Sequence, residues 1–135
     1  MRSDTSSFIS ELVSSVNSAK DNFVCYYDRA PNDDDEEYEV VFPYGVVGKI
    51  HPTSLDEGFL ITFDLDLWTD DKLPTATEDL EQLCDDLQNY LDHRIISREG
   101  EFYGHIGYEG RDTSDDRDTD ISHRRMYFAA RVFYI

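Results

Sequence analysis

Of the thirty carboxylates in 135 residues, Asp64 and Asp66 have a spacing that could do chemistry. Residues two apart on a strand share a face, and metal-dependent nucleases hold Mg²⁺ between carboxylates so placed. The same two positions are also the polar register of a half-buried strand, where solvated side chains belong, and we favour that plainer reading. His51, His93, His105 and His123 follow neither H-x-x-x-H nor any Cys/His spacing, so each reads as structural or superficial. The run Asp33 to Glu37 lacks the alternating ligands and central glycine of an EF-hand loop. No G-x-S-x-G, P-loop or G-x-G-x-x-G occurs, and Gly104 and Gly107, which flank His105-Ile106, open no helix. Cys25 and Cys84 lie far apart in apolar patterns without framework spacing, which reads as two buried free thiols. The expectation is a protein that is not an enzyme, with no catalytic residue, no metal ligand and no cofactor.

The elements that must position these residues centre on 59–92. Phe59, Ile61, Phe63, Leu65 and Leu67 alternate with Leu60, Thr62, Asp64, Asp66 and Trp68, the period of a strand with one dry face. Thr75, three residues before Glu78, reads as a capping box opening a helix to Asp92. Ala76, Leu80, Leu83, Cys84, Leu87 and Leu91 supply its apolar stripe. A first helix is expected from about Ser6 to Lys20, carrying Phe8, Ile9, Leu12, Val13 and Val16. A strand is expected within Asn22 to Asp28.

Pro43 demotes the apolar stretch Tyr38 to Val47 to an edge or bulge, with Gly45 and Gly48 adding irregularity. Lys49 to Gly58 reads as a link. A glycine-interrupted strand is expected over Glu101 to Glu109, a charged loop over Arg111 to Asp120, and a long strand through Met126, Phe128, Ala130, Val132 and Tyr134. The order α, β, β, β, α, β, β has no repeat and no linker. It gives one α+β domain over 1–135: a mostly antiparallel sheet of four to five strands with two helices on one face.

A formal net charge of −18 argues against nucleic-acid binding, which uses Lys and Arg to displace phosphate counterions. Asp outnumbers Glu 20 to 10, and only three of the twelve cations are Lys; this bias suits a halophilic source, where salt screens self-repulsion. No apolar run of about 18 residues or signal-peptide region is present, which fits a soluble, unexported protein without membrane contact. Neither acidic loop holds apolar residues able to bury it: Asp33, Asp34, Asp35, Glu36 and Glu37 in one, Asp112, Asp115, Asp116 and Asp118 in the other.

Nine Tyr, eight Phe and one Trp fall on both faces of the expected strands. Trp68 stands in a polar register, and Tyr127, Arg131 and Phe133 oppose the apolar face of the last strand. Because Tyr, Trp and Arg dominate interface energetics, these four are candidates for a subunit contact.

The order of pieces resembles the tail terminator (tail completion) proteins of long-tailed phages and related archaeal viruses, over nearly the whole chain. The likeness rests on Phe42-Pro43-Tyr44-Gly45-Val46-Val47-Gly48, which matches a Pro-Tyr-Val-Val segment of that family, and on Leu65 to Thr69, which matches a strand ending Val-Trp-Ser. Gly45 stands where the family has a branched residue. The resemblance implies a homo-oligomeric, hexameric ring at the head-proximal end of the tail tube, assembled in the host cytoplasm and residing in the virion neck. Such a ring ends tube growth and joins the head; its partners would be the tail tube protein and head-connector proteins. Genomic DNA would pass without specific binding, and the acidic loops would face the lumen or the joining surfaces. The alternatives are a head-completion or neck connector protein and, further off, an acidic DNA-mimic inhibitor.

Overall fold

The computed structural model describes residues 5–28, 43–70, 75–113 and 121–135. Helix α1 spans Thr5–Ser18 and α2 spans Ala76–Leu91; the strands are β1 Val24–Tyr27, β2 Tyr44–Ser54, β3 Phe59–Asp70, β4 Ile95–Arg98, β5 Phe102–Thr113 and β6 Ile121–Tyr134. They form one six-stranded sheet in the order β1-β2-β3-β6-β5-β4. Only the β1–β2 pair is parallel; the others are antiparallel. The class is α+β with a mixed, curled sheet, one strand beyond the four to five expected.

The centre of the sheet is the pair β3 and β6, matched from Phe59↔Val132 to Asp70↔Ile121. Ile61, Phe63, Leu65 and Leu67 face the same side as Met126, Phe128, Ala130 and Val132, and all are buried. Both helices cover that side. From α1 come Phe8, Leu12 and Val16, one per turn; from α2 come Leu80, Leu83, Cys84, Leu87 and Leu91. Phe63 stacks on Phe128 at 5.3 Å, and Phe8 meets Phe63 and Phe102 edge-on at 6.4 and 5.9 Å. Such offset and edge contacts satisfy the ring quadrupoles. Helix α1 packs against both outermost strands, β1 and β4. Its Asn17 amide also bonds the backbone of β1: Cys25 N–H donates to Oδ1 at 2.8 Å and Nδ2 donates to the Cys25 carbonyl at 3.1 Å.

Four sequence expectations are corrected. First, β2 is neither an edge nor a bulge over 44–47: β1 and β3 flank it there. Pro43 precedes the strand, so its missing N–H costs no ladder bond. Second, Lys49 to Ser54 is not a link but the rest of β2, beyond β1, where β3 is its partner and Pro52 is tolerated. A one-residue bulge between Gly48 and His51 shifts the register, and Lys49 takes φ 51° in it. Third, β4 has no counterpart among the expected strands; four residues with one buried side chain, Ile96, carry too little pattern to read. Fourth, Thr75 forms no capping box. Its hydroxyl donates to the Asp79 carboxylate at 2.9 Å, and its side chain makes no cap bond to the helix amides. Thr75 takes φ −101° and ψ 11°, outside the extended region from which a cap hydroxyl accepts from the helix amides.

Gly45 has a steric reason. A Cβ there would lie 2.8 Å from Phe23 Cζ and 3.0 Å from Leu67 Cδ2, so the two large side chains occupy the space a branched residue would need.

Candidate interaction surface

Alternation along each strand that buries one side chain turns its neighbour to the side no helix covers. At one end of this outward face an aromatic row crosses four strands. Tyr26 of β1 meets Tyr44 of β2 edge-on at 6.3 Å; Tyr44 stacks on Trp68 of β3 at 5.1 Å; Trp68 stacks on His123 of β6 at 4.8 Å. The register Tyr44↔Trp68↔His123 sets this row, and both faces of the single tryptophan are covered by its own chain.

Beside the row, one carboxylate gathers two partners. Arg125 Nε donates to Asp66 Oδ1 at 2.7 Å, and His123 Nε2 lies 2.7 Å from the same oxygen. Burial would raise the Asp66 carboxyl, but the bonds from His123 and Arg125 outweigh it and hold Asp66 below the usual carboxylate range. Asp64 differs: burial pushes its carboxyl up, because Arg125 and Lys49 stand off at 3.8 Å. The pair is thus engaged by cations of the same chain. Among the described residues, no group of three His, Cys, Asp or Glu could hold a metal ion. A hollow of about 350 Å³ lies over this network, lined by Asp28, Tyr44, Lys49, Asp66, Trp68 and Arg125 among others. Next to it, Tyr127 donates its hydroxyl to Asp112 Oδ2 at 2.6 Å. That bond raises the phenol above its ordinary value.

The other end of the face has no such closure. Tyr103 of β5 stands opposite Phe133 of β6, and Ile95 of β4 is one diagonal step from Tyr103. Their exposures are 45, 39 and 52 %, and Ile135 beyond them reaches 75 %. Arg131 lies with its guanidinium 5.4 Å from the Phe133 ring centre and donates to the Glu57 carbonyl at 2.6 Å.

On the helix side, Arg124 and Arg111 join the sheet to α2. Arg124, 4 % exposed, donates from Nε to Glu81. Arg111 donates to Glu81 at 3.0 Å, Asp85 at 3.1 Å and the Gln88 side chain at 2.9 Å. The bond from Arg124 is the main reason Glu81 sits below the ordinary carboxylate range. Both thiols are free and buried; burial pushes Cys25 up to about 12 and Cys84 to about 11, so neither is a ready nucleophile.

All four residues singled out as subunit contacts lie on the outward face, but in two groups: Trp68 and Tyr127 at the closed end, Arg131 and Phe133 at the open one. Asp112 corrects the loop expectation, since Arg111, Asp112 and Thr113 pair with Met126, Arg125 and Arg124 as the end of β5. A bulge between Tyr108 and Gly110 resets the register there. Asp33, Asp34, Asp35, Glu36, Glu37, Asp115, Asp116 and Asp118 lie outside the described residues. Sequence reasoning misses Tyr26, Tyr44, His123, Tyr103 and Ile95. The alternation His123, Arg125, Tyr127 is a usable signal; the cross-strand pairing that gives it meaning is not local to any segment.

No protein-family model matches the chain, and no curated protein matches it. Its fold is similar to that of a chain in the virion of a native gene transfer agent particle. The TM-score is 0.56 at 17 % identity, covering 90 % of this chain and 84 % of that one.

Proposed function

We propose that this chain is a structural subunit of a phage-like virion. More finely, we propose that it forms a ring at the head-proximal end of the tail tube, ending tube growth and offering the surface that joins the head. The observation that carries the reading is the fold shared with the gene transfer agent virion chain across 90 % of this sequence. Agreement comes from the Phe42 to Gly48 and Leu65 to Thr69 segments, which resemble tail terminator proteins. The side-chain chemistry points the same way. Asp66 is held by His123 and Arg125, the thiols are buried, and exposed apolar side chains collect on one sheet face, as in a protein whose work is contact rather than catalysis.

In this reading a wall rich in carboxylates lets duplex DNA slide through without sticking, because like charges oppose binding. The acidic stretches Asp33 to Glu37 and Asp115 to Asp118 are assigned to the lumen or the joining faces. The test is imaging of particles carrying a tagged copy. The reading expects density for the tag at the junction of head and tail, in sixfold repetition. Tag density elsewhere on the particle would reject the junction assignment, and absence from the particle would reject a virion role.

A further inference from the structure

We infer that the open end of the outward face, centred on Tyr103 and Phe133, is where a second copy of this chain docks, and that docking strengthens as ionic strength rises. The inference deepens the subunit reading and rests on it in expecting self-assembly at all.

Charge distribution identifies the occupant. Thirty of 135 residues are carboxylates, yet the outward strand positions at this end, Leu60, Thr62, Ile95, Tyr103, Arg131 and Phe133 among them, include none; the acids beside them, Asp56 and Glu57, lie in the turn before Gly58, where Arg131 binds the Glu57 carbonyl. Four of the seven most exposed large apolar residues among those described, Ile95, Tyr103, Phe133 and Ile135, gather there. Helix α2 is the opposite: it has five acids, Glu78, Asp79, Glu81, Asp85 and Asp86, and no Lys, Arg or His of its own, and only Glu81, Asp85 and Asp86 of the five meet cations from elsewhere, Arg111, Arg124 and Lys20, among the described residues. A basic partner would be drawn to α2. A partner as acidic as this chain meets least repulsion where the strands carry no carboxylate and Arg131 stands beside Phe133, and a second copy is such a partner. The rest of the surface still repels at long range, with a reach of about 10 Å at 0.1 M salt and about 3 Å at 1 M. Added salt therefore removes the repulsion while leaving apolar burial intact. Trp68 is not the anchor, because Tyr44 and His123 already cover its two ring faces.

The test is sedimentation velocity of the purified chain at roughly 0.1 M and roughly 2 M KCl, with Tyr103→Glu and Phe133→Asp beside the wild type. Circular dichroism and thermal melting show which variants keep the fold; two independent positions guard against one failing to do so. The expected result is a dissociation constant at least about tenfold lower at high salt for the wild type, and folded variants that stay monomeric in both. A double variant, Glu78→Gln with Asp79→Asn, should associate at lower salt than the wild type. Association that ignores salt, or folded variants that associate like the wild type, would overturn the inference. So would a wild type monomeric throughout, and in that case a tagged copy still found in particles would leave the virion reading standing.

Discussion

Trp68 and Phe133 stand on the same side of the same sheet, on strands that pair with each other, and they differ in what they have left to offer. Trp68 is stacked between Tyr44 and His123, and near it Arg125 donates to Asp66 and Tyr127 to Asp112. Phe133 has Arg131 at its ring and stays 39 % exposed. One end of the face is therefore part of the monomer's own structure, while the other leaves Ile95, Tyr103 and Phe133 exposed. Residue type does not separate the two, since both are aromatics beside arginines; the difference lies in which strands bring neighbours to them.

This contrast can be broken by experiment, with the helix-covered side as the reference. Leu83→Ala removes a buried side chain of α2 and should cost about 2–5 kcal/mol in urea unfolding. Trp68→Ala, at a half-buried site, should cost about 2–3 kcal/mol in the same assay, less than a full aromatic truncation. It should act on the monomer and leave the salt dependence of association in place. A loss below about 0.5 kcal/mol would mean the stack is not structural.

Asp66→Asn leaves Arg125 and His123 without their charged acceptor and should cost about 1–2 kcal/mol. Asp66 sits below the ordinary carboxylate value, so its stabilisation is fully present above about pH 4 and is lost as pH falls through the lowered value. Asp64 works the other way, because its carboxyl is raised and protonation relieves its burial. The variant should accordingly show a shallower loss of stability in acid than the wild type, read from melting temperature against pH. Tyr103→Ser, at the open end, should change monomer stability by under about 0.5 kcal/mol, the smallest of the four effects, while reducing association most.

The periodic elements are legible in the sequence. The alternation from Phe59 to Trp68 and from Met126 to Tyr134 marks β3 and β6, and the stripe through Leu80, Leu83 and Leu87 marks α2, because each pattern runs long enough to define a face. Short or compound signals fail. Ile95 to Arg98 has one buried side chain, and Pro52 in β2 argues for a loop where a half-flanked strand accepts it. The charge of Arg111 and Asp112 argues for a loop where β5 continues, with Arg111 anchored to α2 and Asp112 bonded to Tyr127. At the candidate surface, the outward register of Trp68, Tyr127, Arg131 and Phe133 is visible in the alternation. Their division into a closed and an open end depends on the strand order β2-β3-β6-β5, which no local pattern records.

The most direct measurement is an electron cryomicroscopy reconstruction of the assembly that the purified chain forms in high salt. The expected reconstruction has Tyr103 and Phe133 in the contact between neighbouring subunits, with Trp68 enclosed by Tyr44 and His123 inside each one. A reconstruction in which Tyr103 and Phe133 face solvent, and neighbours meet through α2 instead, would contradict it.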